Sequence, residues 1–413
     1  MNKRWILFLF AIAVFPVSRS YGVPMFARKY NMPCSTCHTG DFKLNDFGGL
    51  FDVNGYQLPG TIESTPIWQS NAPAFSLLMQ DRAAYQTSHD DASGLDSNKS
   101  AFNSLVATII SGGVLAPHVS YMSEYDVETS VGGELFASLE YAFVNFNNIF
   151  GTDMGQFNIR FGKARMELPI ELTPEFYRAQ YLIYNYPLLV SSRPLNFELQ
   201  SAMYGTSVYG RWAEFPGAPF YQFALSAGDG SDIDLSGARM FYGRIAPSFS
   251  LGSVPVSVGV TGISAMQTID PNSGDSLQNT ASAYGVDWQI NDPWSGQYAM
   301  YGQVIRFHNS NIQIGNTLMY QDAVGGYVEL NDVVIPEKIT LLLRYDFLNG
   351  QTQTATDTKQ VNTTQIGLTA KYFFLPNVNV FLEGYQQSTA TTLNAASGTR
   401  TAFYLSGGFF YGI

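Results

Sequence analysis

The chain has 413 residues, of which only 13% are charged, 46% are hydrophobic and 15% are aromatic. Soluble domains usually carry about 25% charged residues, so the composition predicts a protein that faces something other than water over part of its surface. The formal net charge of −11 excludes a general nucleic-acid-binding protein, because phosphate binding needs clustered Lys and Arg. After the N-terminus, no uninterrupted apolar stretch reaches the roughly 18 residues of a transmembrane helix, which excludes a helical-bundle membrane protein.

Residues 1–22 have the pattern of an export signal. Lys3 and Arg4 form a positive region, and an apolar region, residues 5–17, follows. That region is too short to span a bilayer comfortably, and small residues follow it where a signal peptidase cleaves. We therefore predict an exported protein whose mature chain begins near Val23.

Cys34 and Cys37 are the two cysteines of the chain, and His38 follows them directly. C-x-x-C-H is the signature of c-type haem attachment, in which two thiols form thioethers and the histidine ligates the iron. A structural zinc site would need about four N or S ligands, which the sequence does not offer at ligand spacing. A thioredoxin-like motif would need a βαβ pattern, and a disulfide would not explain His38. The motif predicts one covalent haem c on Cys34 and Cys37, with His38 as the proximal iron ligand.

Residues 23–71 form a haem segment rich in Pro and Gly, which is too small to bury a core alone. Its apolar residues recur at spacings near three and four, which predicts a short amphipathic helix that covers one face of the haem. These residues are Phe42, Leu44, Phe47, Leu50, Phe51 and Val53. The haem, or another part of the chain that encloses it, must supply the rest of the hydrophobic centre.

From residue 72 to residue 413 apolar and polar residues alternate. Counting these alternating segments gives about sixteen, and the length leaves each of them enough residues for a membrane-crossing strand of about ten residues and its connection. We predict an all-β fold: a transmembrane antiparallel β-barrel of about sixteen strands, with the haem segment in its lumen. A soluble β-sandwich or propeller is the alternative, but it would not need such low charge. The first alternating series is Phe75, Leu77, Met79, Ala83 and Tyr85.

The alternation fails between residues 166 and 197, where prolines and charged residues mix with aromatics. A loop of this length is usually functional or disordered, and inside a barrel it could fold inward and narrow the lumen. Three polar stretches, residues 90–99, 270–280 and 351–360, have the composition of extracellular loops. We expect the N-terminus and the short turns to face the periplasm.

Two residues are candidates for the second axial ligand of the haem iron. Met25 is close to the haem motif in sequence, and a thioether ligand would raise the reduction potential relative to imidazole. His118 begins a segment whose alternate residues, from Ser120 to Glu128, are mostly polar, which predicts that it points into the lumen. The alternative for His118 is a solvated lumen residue, which leaves a water, His308 or another lumen methionine as the ligand.

The haem segment resembles the N-terminus of the outer-membrane monohaem cytochrome–porin fusions of iron-oxidising bacteria. The resemblance lies in residues 23–38, which end in the haem motif, in the Leu-Asn-Asp-Phe-Gly of residues 44–48, and in the Asn-Gly-Tyr of residues 54–56. It covers this segment closely and the barrel only in architecture. It implies an iron:cytochrome c oxidoreductase that carries electrons from extracellular Fe(II) through one haem to periplasmic c-type cytochromes.

Electron transport across the outer membrane also calls for a haem inside the barrel. Electrons do not cross an apolar band about 25 Å tall unless a redox centre stands within it. Three functions remain open at this point: an Fe(II)-oxidising conduit, a conduit that serves another extracellular donor or acceptor, and a solute porin whose haem segment gates or stabilises the channel. The direction of electron flow, the periplasmic partner and the oligomeric state also remain open.

Overall fold

The computed structural model describes most of the chain after the predicted export signal. The described residues are 24–39, 43–70, 74–129, 135–151, 155–166, 168, 181–184, 186, 199, 201–212, 218–227, 239–268, 278–291, 298–314, 317–335, 338–353, 358–375, 377–393 and 396–412. The predicted export signal (residues 1–22), most of the predicted inward loop and most of the predicted loop at residues 270–280 lie outside them.

The N-terminal segment (residues 24–70) contains two helices and a small β-ribbon. Helix α1 is followed by a 3₁₀ turn at the first cysteine, by the ribbon β1–β2 and by helix α2, which confirms the helix predicted from apolar spacing. The side chain of Asn45 caps α2 by accepting from Gly48 N at 2.9 Å. The bounds are α1 (Pro24–Tyr30), the turn Cys34–Thr36, β1 (His38–Thr39), β2 (Lys43–Leu44), α2 (Asp46–Val53) and a second 3₁₀ turn, Ile67–Gln69.

The barrel is closed and antiparallel, and β19 pairs with β3. Segments β10 and β11 both pair with β12 and are separated from each other by Pro247, so they form one interrupted strand. The seventeen described segments therefore make sixteen spanning strands, as predicted. The bounds are β3 (Phe75–Asp90), β4 (Leu95–Ala116), β5 (Val119–Thr129), β6 (Leu135–Phe146), β7 (Asn158–Ala164), β8 (Met203–Arg211), β9 (Phe220–Ala227), β10 (Arg239–Ala246), β11 (Ser248–Leu251), β12 (Val254–Thr268), β13 (Gln278–Asn291), β14 (Tyr298–Ile314), β15 (Thr317–Ile335), β16 (Ile339–Gln353), β17 (Thr358–Leu375), β18 (Val378–Leu393) and β19 (Ala396–Gly412).

Along the barrel strands, apolar side chains face outward and polar side chains face the lumen, which is the reverse of the arrangement in a soluble protein. On β16, Leu343 and Tyr345 are 47% and 46% exposed on the outside, whereas Arg344 and Asp346 are buried in the lumen. An apolar outer surface around a polar interior is the pattern of a barrel that sits in a membrane. No helix among the described residues is long and apolar enough to cross a membrane.

Two of the predicted extracellular loops are shorter than expected. Strands β3 and β4 are joined by residues 91–94, and β16 and β17 are paired as far as Gln353 and Thr358, so the predicted boundaries at residues 90–99 and 351–360 are wrong. These strands extend beyond the apolar band, where residues on both faces are polar. The alternation therefore disappears from the sequence while the backbone pairing continues.

The connection between β7 and β8 folds into the lumen, as predicted, in each part that the structure describes. This inward loop (residues 165–202) buries Tyr181, Ile183 and Tyr184 against the walls of the strands on the far side of the barrel from β3. The wall at this place carries small inward residues, which leave room for the loop. They include Ala224, Ala265, Ala281, Ala283, Ala299 and Ala323.

Candidate cofactor-attachment site

The backbone of the C-x-x-C-H motif is tied to the start of α2. Asn45 N donates to Cys37 O at 2.8 Å, and Asn45 Nδ2 donates to Thr36 O at 3.0 Å. His38 pairs with Leu44 in the β1–β2 ribbon. Asn45 thus caps the helix and holds the motif at the same time, which gives a structural role to part of the Leu-Asn-Asp-Phe-Gly stretch.

Gly48 lies where α2 touches the motif. A Cβ atom at this position would stand 2.1 Å from Cys37 O, whereas a Cβ at the neighbouring Gly49 would have nothing within 4 Å. Only glycine therefore allows the helix and the motif to approach so closely. The sequence gives no sign of this role, because two adjacent glycines look alike in it.

The donor groups of the motif suit covalent haem attachment. The Cys37 and His38 side chains are half-buried, and burial raises the pKa of the Cys37 thiol. For Cys34 the structure describes only the backbone, which forms the 3₁₀ turn that brings the two cysteines onto one short stretch of chain. Two thiols next to an imidazole are the set that a c-type haem requires.

The apolar residues of α2 and of the β2 residue before it have two kinds of surroundings. Phe51 and Val53 are buried, and Phe51 packs in a cluster with Tyr56 and Phe143. Leu44, Phe47 and Leu50 stay half-buried. Leu44 is the residue that pairs with His38 in the β1–β2 ribbon. The half-buried side chains offer apolar surface to a flat group attached at the motif, so the residues present fit a haem.

Aromatic rings join α1 to α2 and its following turn. Phe26 stacks on Tyr56 with ring centroids 5.3 Å apart and meets Phe51 edge-on at 5.2 Å. Tyr30 meets Phe51 edge-on at 5.6 Å and donates its hydroxyl to Tyr56 O at 2.9 Å. Each such pair adds about 0.5–1.5 kcal/mol beyond its buried area. The segment therefore has a small aromatic core of its own, which was not predicted from the sequence.

Buried asparagines attach the end of α2 to the barrel. Asn158 Nδ2 donates to Val53 O at 2.7 Å, and Asn148 Nδ2 donates to Asn54 Oδ1 at 2.8 Å. The two barrel residues are joined to each other, because Asn148 N donates to Asn158 Oδ1 at 2.9 Å. This asparagine cluster (Asn54, Asn148 and Asn158) lies at the short-turn end of the barrel, so the N-terminal segment docks at the end where the turns are short.

Met25, the first candidate for the second axial ligand, packs against the barrel wall. Its side chain is 2% exposed and lies in a cluster with Leu78, Ile110 and Phe410. Its backbone N donates to Ser76 Oγ at 2.8 Å. A ligand role for Met25 stays a prediction. Such a role has to be compatible with the packing of this side chain against three strands.

His118, the second candidate, lies in the turn between β4 and β5. The expectation that it begins a strand is wrong: its φ is 63°, a left-handed turn conformation, although Ser120 beyond it is buried as predicted. Its Nδ1 lies 3.1 Å from Asn147 O. Because a carbonyl only accepts, Nδ1 carries the proton and a neutral ring keeps its lone pair on Nε2, as in many metal-ligating histidines. The ligand role itself stays a prediction.

Hydrogen bonds from tyrosines fix the inward loop on the opposite wall. Tyr181 Oη donates to Glu329 Oε2 at 2.5 Å, and Tyr184 Oη donates to Gln303 Oε1 at 2.6 Å. The Arg344 guanidinium lies 4.0 Å from the Tyr181 ring centroid. Burial raises the pKa of Tyr181 to about 12, so the phenol remains a donor at physiological pH.

Comparisons with known proteins identify the fold. No family model and no curated protein matches the chain. Among solved structures, the trimer form of OmpT from Vibrio cholerae has 11% identity and a TM-score of 0.51 over 83% of this chain and 100% of its own. The anion-selective porin from Comamonas acidovorans has 10% identity and a TM-score of 0.53 over 82% and 99%. At these identities the similarity establishes an outer-membrane porin fold and does not assign a function to this chain.

Proposed function

We propose that this protein is an outer-membrane electron conduit. It would oxidise extracellular Fe(II) at a single haem c and pass the electrons to a periplasmic c-type cytochrome, as an iron:cytochrome c oxidoreductase does. The observation that supports the proposal is a C-x-x-C-H motif that is clamped by Asn45, in a segment that docks at the short-turn end of a closed membrane-type barrel. A bilayer blocks electrons over about 25 Å, so a redox group held in such a lumen is what an electron path across it needs.

Different residues of the chain have different roles in this proposal. Cys34 and Cys37 would hold the haem, and His38 would ligate its iron, which supplies one-electron redox chemistry when the haem is bound. Asn45 and Gly48 set the distance between the motif and α2. The asparagine cluster sets the distance between α2 and the barrel wall. The inward loop occupies lumen space on the other side and reduces the room for water.

Covalent attachment is tested first. We expect mass spectrometry to find a haem adduct on the peptide of residues 34–38, and we expect acid–acetone extraction to leave the haem on the protein. Extraction of all the haem, or a peptide without an adduct, contradicts the proposal. Addition of anaerobic Fe(II) to the oxidised protein should then produce ferrous c-type absorption bands. Reduction by other donors but not by Fe(II) would favour a conduit for another extracellular species.

A solute porin is the second function that an observation favours, because the porin likeness covers more than four-fifths of the chain. Planar-bilayer conductance separates the two functions. An electron conduit filled by the N-terminal segment and the inward loop should pass little ionic current. A steady conductance of open-porin size, in protein that carries its haem, would favour a porin with a gating segment.

The orientation of the barrel in the outer membrane gives a further test. With the short turns and the N-terminal segment in the periplasm, surface proteolysis of intact cells should cut the hairpin at residues 91–94 or the connection between Gln353 and Thr358. Cleavage at these places only after the outer membrane is disrupted would reverse the orientation.

A further inference from the structure

Four outward side chains on neighbouring strands form a row across the outside of the barrel. Arg239 on β10 and Arg306 on β14 stand at its two ends. Ser264 on β12 and Ser282 on β13 lie between them and are direct partners. Each arginine is the diagonal neighbour of one serine. Direct partners are about 5 Å apart and diagonal neighbours about 7–8 Å, so this arginine–serine row is about 20 Å long.

The row begins at the loop-end edge of the apolar band. Phe249, 43% exposed, is the lower aromatic position of the interrupted strand β10–β11, and Arg239 stands ten residues from it. Ten residues at about 3.4 Å each, on a strand tilted by about 40°, rise about 26 Å, close to the roughly 25 Å of the band. At this height an arginine side chain reaches the headgroups of the lipids.

Paired rows of the barrel climb toward the loop end as strand number increases. One such row begins at Ile245, in the short-turn half of β10, and arrives nine strands later at His89, at the loop end of β3. At a spacing of about 4.8 Å and a tilt of about 40°, each strand adds about 3 Å of height. Residues of different strands can therefore be compared in height.

Arg306 reaches the same height as Arg239. The paired row that starts at Phe249 meets Met300 on β14 three strands later, which adds about 9 Å. Arg306 is six residues beyond Met300, which adds about 16 Å and puts it about 25 Å above Phe249. By the same reckoning all four members of the arginine–serine row lie between about 24 and 27 Å. The row is thus parallel to the membrane surface.

The two guanidinium groups of the row are open to a ligand from outside. Arg239 and Arg306 are exposed, and within the described part of the chain neither has an ion-pair or hydrogen-bond partner. The outward carboxylate of the next strand, Asp322, is bonded to His308 Nδ1 at 2.7 Å. Two positive charges therefore flank two hydroxyl groups, and such a surface suits an anion with several oxygen acceptors. Guanidinium groups bind phosphate oxygens in pairs.

A groove in the outer surface lies directly below the two serines. Gly243 on β10 and Gly262 on β12 are direct partners, and a Cβ at Gly262 would have nothing within 4 Å. The same paired row continues to Phe223 on one side and to Tyr284 on the other, which are 40% and 58% exposed. Two glycines between two aromatic rings leave a depression in the apolar band, where another chain can approach the backbone closely. We call it the glycine groove.

We propose that the arginine–serine row binds a glycolipid with two phosphate groups, whose acyl chain lies in the glycine groove. With the loops outside the cell, this lipid belongs to the outer leaflet. A row about 20 Å long favours one phosphate at each arginine, at the two ends of a disaccharide, over a single phosphate shared by both. The serine hydroxyls then face the sugar, where they can donate and accept.

The first test measures binding of diphosphoryl lipid A to the full-length protein by native mass spectrometry. Arg239→Gln and Arg306→Gln should each weaken binding about tenfold, and the double variant should weaken it further. Lys338→Gln removes one exposed positive charge at the short-turn end and should change nothing. Heat-modified gel mobility verifies that each variant is a folded barrel. Equal binding by the wild type and the double variant overturns the proposal.

The second test identifies the parts of the lipid that are bound. Monophosphoryl lipid A should bind the wild type about tenfold more weakly than the diphosphoryl form, and one of the two single variants should bind both forms equally. Gly262→Leu fills the glycine groove, so it should weaken binding of lipid A and leave binding of the deacylated disaccharide bisphosphate unchanged. Displacement of lipid A by an equal concentration of inorganic phosphate, or no effect of Gly262→Leu, contradicts a glycolipid site.

Discussion

The lumen holds two inserted pieces of chain, and they are attached in different ways. The N-terminal segment is held by amide side chains that bond specific backbone and side-chain atoms, as Asn158 does with Val53 O. The inward loop lies on a bed of small apolar residues, and its tyrosine hydroxyls reach Glu329 and Gln303 on the wall. Directional bonds at both ends of α2 fix a position, whereas packing against an apolar bed mainly fills space.

The difference suggests a division of tasks. A segment that carries a redox group needs a defined distance to its surroundings, because attached groups lose function when their supports shift by about 1 Å. A segment that excludes water or solutes needs only to stay in place. We therefore expect changes at the N-terminal segment to alter haem properties and changes at the inward loop to alter ion passage.

The largest expected effect on haem content is at Gly48. Gly48→Ala puts a methyl group on Cys37 O and should cost about 1–3 kcal/mol or more of local stability. We expect haem content per barrel to fall several-fold, measured by pyridine haemochrome against protein mass. Gly49→Ala, with open space around it, is the matched control and should keep full haem content and stabilise the helix by up to about 1 kcal/mol. Equal haem content in the two variants would show that the close contact is not required.

A smaller effect is expected at the asparagine cluster. Asn158→Ala leaves the buried Val53 carbonyl without this donor and should cost about 1–3 kcal/mol. Hydrogen exchange of the α2 amides should become faster while exchange around Tyr181 stays the same. Asn362→Ala, at an exposed outward position of β17, serves as the control. Faster exchange at both inserted pieces would mean that they are not independent.

At the inward loop, Tyr181→Phe should cost about 1 kcal/mol by removing one buried hydrogen bond and should raise single-channel conductance without altering the haem spectrum. Tyr372→Phe, on the outer surface, should change neither property. If Tyr181→Phe shifts the haem spectrum and leaves conductance unchanged, the proposed division of tasks is wrong.

Alkaline pH offers a second way to weaken the hydrogen bond between Tyr181 and Glu329. The folded-state pKa of Tyr181, about 12, lies above its ordinary value of 10.0, so its contribution to stability is complete below pH 10 and is lost as the pH rises toward 12. We expect conductance to rise over this interval in the wild-type protein. The rise should be smaller in Tyr181→Phe, and an identical rise in both proteins would assign it to other groups.

The last expected change is spectral and concerns the second axial ligand. We expect Met25→Ala and His118→Ala to differ, because only loss of the true ligand removes low-spin character from the oxidised spectrum. Met25→Ala should also cost about 2–5 kcal/mol through the cavity it leaves between three strands, so its spectrum must be recorded on protein whose barrel is folded. Unchanged spectra in both variants would leave a water, His308 or another methionine as the ligand.

Much of the barrel was predictable from sequence, because period-two alternation directly reports which side of a wall a residue faces. The strand count and the inward fold of the long loop follow from that signal. Strand ends beyond the membrane do not, since residues there are polar on both faces, and the hairpin at residues 91–94 was therefore predicted as a longer loop.

At the candidate site, the sequence predicts the chemistry, which stays a prediction, and gives no sign of the residues that support the motif. The spacing of Cys34, Cys37 and His38 forms a recognisable motif. By contrast, Asn148 and Asn158 bond to Asn54 and Val53, which lie about a hundred residues earlier in the chain. Such contacts leave no local pattern. His118 shows the reverse error, since alternation was extended one residue too far, into a turn.

The cluster around Met25 bears on the order in which the molecule assembles. Leu78 belongs to the first barrel strand and Phe410 to the last, and Met25 packs between them. Across this junction Gln86 meets Tyr404, which is 318 residues away in the chain, so loop-closure entropy makes this a late event in folding. The N-terminal segment can therefore reach its final position only when the last strand has paired. Until then the C-x-x-C-H motif would stay accessible for attachment of the proposed haem.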